Sequence, residues 1–155
     1  MNQPPDLLAG LSEVDCNKVL ELGSPITLPS GAELFALGAQ ADNLFIVERG
    51  RVKLTLPMQV RGKQEDITVE EIKSGQTVGW SALIPPHRFT LKATALMDTE
   101  LIVLDRKTLQ AYFSAQPAVG CVISLNLAVV IGHRLQLFQA MWLREMQRMV
   151  ENQYA

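Results

Sequence analysis

Histidines and cysteines most often supply metal ligands and nucleophiles, and this chain has few of them. Its histidines are His87 and His133, and its cysteines are Cys16 and Cys121. Two separated histidines do not supply a catalytic metal cluster, and two cysteines cannot build a four-cysteine zinc site or a disulfide framework. We therefore expect no metal and interpret both cysteines as structural thiols. His87 is interpreted as an exposed loop residue rather than a metal or haem ligand, and His133 as a packed or interfacial polar residue.

Sequence motifs of the common enzyme classes are also missing. The sequence has no Gly-x-Ser-x-Gly, no phosphate-binding loop ending in lysine and no cysteine–histidine pairing. We therefore expect that the protein is not an enzyme. Its net charge of −2 leaves no basic excess for holding phosphate backbones, which disfavours a nucleic-acid binder.

Length and composition indicate one globular domain, and the N-terminus indicates a location in the cytoplasm. The chain has 155 residues, of which 48% are hydrophobic and 19% charged, enough for one core. The N-terminus has neither a basic start nor an apolar stretch, so no signal peptide is expected. Residues 118–132 form an apolar segment that is shorter than the roughly 20 residues of a spanning helix. We predict a buried helix there and no membrane association.

The elements that must position any site are mainly strands. Ser12 is a candidate cap for a short helix that Gly23 and Pro25 end. Short apolar runs separated by turn residues then indicate strands at residues 33–37, 44–48, 52–56, 66–72, 89–96 and 101–104. The pattern is typical of a barrel or jelly roll. We predict a mainly β domain: a helical segment at 1–24, a β-roll at 25–104, a short helix at 105–116 and a long helix at 117–153.

The sequence pattern of the C-terminal third of the chain predicts two helices. Asp105 is a candidate cap for the first, and Pro117 suits the first turn of the second. A helix of some 35 residues would be about 50 Å long, longer than such a domain is wide. Two alternatives follow: the helix pairs with a second copy, which we favour, or it folds back on its own domain. A 3-4 spacing typical of a coiled-coil seam marks Leu125, Ala128, Gly132, Leu135, Gln139, Trp142, Met146 and Met149.

Two stretches carry a resemblance to a known family. They read PITLPSGAELFALGAQADNLFIVERGRVKL and IKSGQTVGWSALIPPHRFTLKATALMDTELIVLDR. They resemble the cyclic nucleotide-binding domain of the catabolite activator protein (Crp/Fnr) family, and the similarity extends over about residues 7 to 145. The glycines Gly38, Gly50 and Gly79, spaced through short strands, are its specific part. The resemblance implies a β-roll followed by a long helix.

The resemblance also implies where an effector would bind. In the family, a short helix follows the glycine that matches Gly79 and holds the cyclic phosphate, an arginine neutralises that phosphate, and a glutamate accepts the ribose hydroxyl. Here Trp80 stands in the glutamate position, and an indole has no acceptor. Depending on the loop register, His87 or Arg88 falls in the arginine position. The implied effector-binding residues are Gly79, Trp80, Ser81, Ala82, Arg88, Phe89 and Thr90.

Several of these residues keep a second interpretation. Arg88 is either an anion ligand or a solvated loop cation. Trp80 either fills the emptied pocket or stacks on a ligand ring, and Ser81 either contacts a phosphate or only starts the short helix. Asn126 and His133 are the polar candidates for an effector contact on the long helix.

Two functions are consistent with the sequence. The first is a sensory module that binds a cyclic nucleotide such as cAMP or cGMP, or another small anion, and signals through a homodimer to a protein partner. The second is a degenerate scaffold of the same fold without a ligand. The family's transcription factors carry a helix-turn-helix after the long helix, and the sequence stops at Ala155, so we expect no direct DNA binding by this chain. No permanent cofactor is expected.

Overall fold

A computed structural model describes residues 3–155 of the chain. Among these residues it has eight strands, three α-helices and two short 3-10 helices. The α-helices are α1 (Glu13–Glu21), α2 (Arg106–Ala115) and α3 (Pro117–Tyr154), and the 3-10 helices are Asp6–Leu8 and Trp80–Ala82. The strands are β1 (Ser24–Leu28), β2 (Glu33–Phe35), β3 (Asn43–Arg49), β4 (Arg51–Val60), β5 (Lys63–Lys73), β6 (Thr77–Val78), β7 (Lys92–Ala95) and β8 (Thr99–Asp105).

The strands form two antiparallel sheets that enclose the core. One sheet has the order β1-β8-β3-β6 and the other β2-β7-β4-β5. Large apolar side chains of both sheets are fully buried, among them Leu44 and Leu101 of the first sheet and Val52 and Leu54 of the second. The predicted fold class, a β-roll with flanking helices and a long C-terminal helix, is confirmed.

The strand predictions differ from the structure in several ways, among them that β4 continues to Val60, four residues beyond the predicted end at 56. The edge strand β1 was not expected, because Pro25 near its start has no amide hydrogen, although an edge position tolerates that loss. The two residues of β6 are too few to give an alternating pattern. The strand predicted at 89–96 is shorter, because the Phe89 amide donates to the Ala39 carbonyl, outside the sheet ladder.

The helix starts follow the capping residues that the sequence offers. The Ser12 hydroxyl accepts from the Asp15 amide at 3.1 Å. The Asp105 carboxylate accepts from the Thr108 amide at 3.0 Å, and this hydrogen bond lowers the pKa of Asp105. Pro117 occupies the first turn of α3. These three predictions are confirmed.

Helix α3 packs on the roll along one face only. Val119, Ile123, Leu127 and Arg134 are buried, whereas Leu125 is 64% exposed. The prediction of a buried helix at 118–132 therefore holds for one face. By length and composition α3 could also cross a membrane: its 18-residue apolar window has a mean hydropathy of 1.7 and is 28% buried.

The N-terminal segment fastens α3 to the roll. Leu7 and Leu8 are fully buried, and the Asn126 side-chain amide donates to the Leu7 and Ala9 carbonyls at 2.8 Å each. Asp6 accepts from the Thr77 amide at 3.3 Å at the start of β6. The segment thus lies between α3 and the strand that leads into the candidate site.

The β3–β4 turn offers a stability test because Gly50 has both a positive φ and close neighbours. Its φ is +102°, and an added Cβ would lie 2.5 Å from Thr99 Oγ1. Gly38 has a φ of +80° and nothing within 4 Å of an added Cβ. We expect Gly38→Ala to cost about 1–2 kcal/mol of unfolding free energy from the backbone conformation alone. Gly50→Ala should cost about 1–3 kcal/mol more from the clash. Urea denaturation measures both, and equal losses would contradict the close approach.

Candidate functional site

The turn after β6 is shaped by a glycine in a left-handed conformation. Gly79 has φ +89° and ψ +34° and directly precedes the 3-10 helix Trp80–Ala82. A Cβ there would lie 3.2 Å from the Asn43 carbonyl oxygen and 3.3 Å from the Phe89 ring. Both the conformation and the space therefore favour glycine. The turn directs Ser81, which is buried, toward the interior of the roll.

A small pocket lies beneath this turn. Its volume is about 10 Å³, the space that a single water molecule needs. Part of the interior is filled by the rings of Phe35 and Phe89, which stack with centroids 3.6 Å apart. The pocket lining comprises Phe35, Leu54, Val78, Gly79, Trp80, Ser81, Phe89, Thr90, Leu91 and Arg134. In this conformation the pocket has room for about one water molecule, and Thr90 at its edge is exposed.

The charged residue of this lining comes from α3. Arg134 is 8% exposed, and its Nε donates to Glu70 Oε2 of β5 at 2.6 Å. His133 Nε2 lies 3.5 Å from the other oxygen, Glu70 Oε1. Charge-assisted hydrogen bonds of this kind are stronger than neutral ones. The Arg134–Glu70 pair therefore joins the long helix to the sheet beside the pocket.

A larger cleft shares Arg134 with this pocket. Its volume is about 410 Å³, within the range of small-molecule sites. Arg134 lines both the pocket and the cleft. The cleft is bounded by Asp6, Ala9, Glu70, Ile72, Gln76, Thr77, Asn126, Val129, Val130, His133 and Arg134.

The structure brings most of the site residues named in the sequence together. Gly79, Trp80, Ser81, Phe89 and Thr90 all line the pocket. Ala82 is buried but does not line it, and its carbonyl accepts from Arg106 Nη1 at 3.3 Å. Whether these residues contact an effector stays a prediction.

Arg88 lies outside the pocket, which differs from the arrangement that the resemblance implied. Its backbone forms an isolated antiparallel β-bridge with Gln40. Its exposed guanidinium donates a hydrogen bond to the Gly38 carbonyl at 3.0 Å. His87, the alternative in register, has a φ of +57°, and its Nδ1 lies 3.3 Å from the Ser81 carbonyl oxygen. The positive φ of His87 turns the chain so that Arg88 follows the outer bridge.

Three further candidates have defined surroundings. Trp80 is half-buried, packs against the core and lines the pocket, and both of its interpretations, filling the pocket or stacking on a ligand ring, stay predictions. The Asn126 amide group is engaged by the Leu7 and Ala9 carbonyls. His133 is exposed beside Glu70. Residues 3–155 contain no group of three or more His, Cys, Asp or Glu side chains that could hold a metal ion.

Sequence reasoning missed Arg134 and Glu70. A signal for Arg134 was present, since Arg134 follows Leu127 by seven residues and Ile123 by eleven, which places all three on one helix face. Apolar residues at that spacing predict a buried stripe, and an arginine within such a stripe needs an acceptor. No local pattern marked Glu70, because its role depends on the packing of α3 across β5.

The predicted helix seam faces away from the roll. Leu125, Leu135, Trp142 and Met149 are 64%, 58%, 62% and 57% exposed, and Met146 is 37% exposed. Ala128 and Gln139 are exposed and Gly132 is half-buried. From Gln139 onward every residue of α3 is exposed. The seam is thus uncovered: up to Leu135 it lies on the side of α3 away from the roll, and from Gln139 onward α3 is exposed on every face.

Comparisons with known proteins agree on the domain. The family model described as the cyclic nucleotide-binding domain matches residues 25–116. Among curated protein sequences, none matches the chain significantly. The catabolite activator protein of Thermus thermophilus is 24% identical with a TM-score of 0.75, over 92% of this chain and 63% of that protein. The chain therefore spans less than two thirds of that relative.

Two other solved structures are described with different nucleotides. The regulatory domain of Toxoplasma gondii PKA, solved with cAMP, is 22% identical with a TM-score of 0.57, over 68% of this chain and 39% of that one. The c-di-GMP responsive regulator CLP of Xanthomonas campestris is 18% identical with a TM-score of 0.74, over 86% and 64%. At these identities the likeness establishes the fold.

The two arginines near the site should differ in their contribution to stability. Arg88→Ala removes one exposed hydrogen bond, so we expect a loss of at most about 1 kcal/mol in unfolding free energy. Arg134→Met leaves Glu70 without its main partner. We expect that loss to be about 2–3 kcal/mol, below the full cost of breaking a buried ion pair because Glu70 keeps some solvent contact. Thermal and urea unfolding measure both, and an equal loss would contradict the placement of Arg134.

Proposed function

The chain belongs to the cyclic nucleotide-binding domain family, and we propose that it is a regulatory, non-catalytic module that senses a small anionic effector. The effector would bind in the β-roll, beneath the turn at Gly79. The observation that carries this proposal is the shared pocket lining of Gly79, Ser81, Thr90 and Arg134, of which Arg134 comes from α3. That lining combines hydroxyl groups and a guanidinium at the point where a helix reaches the roll. Such a site couples occupancy to the position of the helix.

The standard cyclic nucleotides should bind weakly in this site. The side chain after Gly79 is Trp80, which has no acceptor for a ribose hydroxyl. A charge-assisted hydrogen bond contributes about 1.5–3 kcal/mol, so its loss weakens binding roughly 10- to 150-fold. In addition, a pocket of about 10 Å³ must open before any nucleotide enters. We therefore propose that cAMP and cGMP are poor effectors, and that a different small anion is preferred.

A second candidate function is a ligand-free scaffold of the same fold. Two observations favour it, the half-buried Trp80 that fills the pocket region and the closed state of the pocket. In that case α3 would serve only as a dimer or partner surface. Effector titration separates the two candidates.

We propose that α3 pairs with α3 of a second copy. The apolar side chains of its outer face, Leu125, Leu135, Trp142 and Met149, are more than half exposed. The roll covers the opposite face as far as Phe138, and from Gln139 onward all of α3 is exposed, so the outer face is available to another chain. Contiguous exposed apolar surface of this kind is uncommon on monomers and marks association sites. The seam spacing matches helix pairing, and effector binding would act on the pair by shifting α3.

We propose a cytoplasmic protein that is not inserted in a membrane. Pairing of α3 with a second copy would cover the apolar face that gives this helix the composition of a membrane-spanning segment. The net charge of −2 offers no basic surface excess for DNA. A protein partner would then receive the signal from the dimer.

Effector binding is tested by calorimetric titration of the full chain with cAMP, cGMP and c-di-GMP, followed by a thermal-shift panel of phosphorylated and carboxylated metabolites. We expect weak heats with cAMP and cGMP and a clear shift with at least one anion. A ligand at 100 times its Kd stabilises the folded state by about 2.7 kcal/mol. Thr90→Glu places a negative charge in the pocket lining and should abolish the shift.

Two variants act as controls in that titration. Thr68→Glu puts the same charge on an exposed strand position outside the pocket lining, and it should behave like the wild type. Arg88→Ala should also retain binding, because its side chain lies outside the pocket. If no anion shifts the wild-type protein, the sensory function is wrong and the scaffold remains.

Dimerisation is tested by light scattering at micromolar concentrations. We expect a dimer for the wild type and a monomer for Trp142→Glu, because the carboxylate would be buried in the apolar seam. Ala140→Glu is the matched control, since Ala140 is two residues from Trp142 and lies on the other side of the helix. It should remain a dimer. A monomeric wild type, or a dimeric Trp142→Glu variant, would contradict the seam.

A further inference from the structure

Arg134 stands between the pocket and the cleft with most of its donors unused. A guanidinium has five N–H donors. In residues 3–155 the hydrogen bond that the structure gives Arg134 is the one from Nε to Glu70 Oε2 at 2.6 Å. The Nη1 and Nη2 groups have no hydrogen-bond partner among those residues and keep some contact with solvent, although the residue as a whole is 8% exposed. A largely buried guanidinium whose free donors reach solvent at a cavity wall can offer those donors to an anion.

Glu70 competes with an effector for this cation. Its carboxylate is 15% exposed and holds Arg134 from the sheet side, with His133 at 3.5 Å from its second oxygen. An anionic group that reached the Nη groups would lie close to the Glu70 carboxylate. Like charges in a poorly solvated site repel strongly, so the anion and Glu70 cannot both be close to Arg134 at low cost.

We propose that Arg134 is the anion receptor of the β-roll, and that its pairing with Glu70 is an autoinhibitory latch which an anionic effector must open. The inference rests on the proposed sensing function and deepens it. The 410 Å³ cleft is the route by which the effector reaches Arg134. Transfer of Arg134 from Glu70 to the effector releases α3 from β5, and this release carries the signal to the dimer seam.

The latch explains two features that the pocket lining alone leaves open. Arg88 lies outside the pocket, so Arg134 supplies the positive charge that an anion needs there. The residue that would bind the ligand is already held by the internal carboxylate of Glu70, which an effector must displace. A closed state stabilised in this way lowers the apparent affinity of the effector.

The latch is tested on four full-length proteins: the wild type, Glu70→Gln, Glu71→Gln and a double variant. Each protein is titrated separately with cAMP and with inorganic pyrophosphate, which serves as a minimal anion. Glu70→Gln keeps the side-chain shape and removes the competing charge. We expect it to bind at least one of these probes about tenfold or more tightly than the wild type, as the loss of one charge-assisted competitor implies. Glu71→Gln is the matched control, because Glu71 is exposed and pairs with Arg51 at 3.4 Å on the outer face. It should bind like the wild type.

The fourth protein removes the receptor without leaving a buried charge. The double variant Glu70→Leu with Arg134→Met replaces the pair by apolar side chains, an exchange that buried ion pairs often tolerate. It should fold, as circular dichroism and thermal unfolding would show, and bind neither probe. If it binds as tightly as the wild type, the receptor role is wrong while the sensing function stands. If neither the wild type nor Glu70→Gln binds either probe, the latch is overturned too. Failure of the whole metabolite panel would then separately overturn the sensing function.

Discussion

The 38-residue helix α3 has more apolar surface than one β-roll covers. The packing of the roll and the exposed face of the molecule both depend on this excess of apolar surface. One face packs on the roll through Ile123 and Leu127 and ends at the ion pair of Arg134 with Glu70. The other face carries exposed apolar side chains along its whole length. A helix with two such faces couples ligand binding in the roll to contacts on the outer face. Because the helix is rigid and closely packed, a shift at one face moves the other face as well.

The pocket follows from the same packing. The Gly79 turn and the buried Ser81 form a cavity wall, and α3 completes the enclosure with a charged residue rather than an apolar one. An arginine in that position has a structural cost unless it is paired. Glu70 offsets the cost in the closed state, and an anionic effector would offset it in the open state. In this proposal the two states differ in the partner of Arg134, which is the Glu70 carboxylate in the closed state and the anionic group of the effector in the open state.

Local sequence patterns were sufficient for the elements that local interactions decide. The caps Ser12 and Asp105, the start of α3 at Pro117 and most strands follow from short-range chemistry. The seam on α3 was also readable from its spacing, although its partner is a proposal. The site was only partly predictable: Gly79 and Ser81 lie in the pocket, but Arg88 does not. Its orientation depends on the positive φ of His87, and the Arg134–Glu70 pair joins residues 64 positions apart, which no local pattern specifies.

Hydrogen–deuterium exchange along α3 would show whether the Arg134–Glu70 pair holds the helix on the roll, and it needs no ligand. The Glu70→Gln protein would be compared with Glu71→Gln and the wild type, with amide exchange followed in residues 127–138. If the ion pair holds α3 on the roll, exchange in that segment accelerates in Glu70→Gln alone, because local opening costs less free energy. Equal exchange in all three proteins would contradict the latch, since α3 would then be held by apolar packing without it.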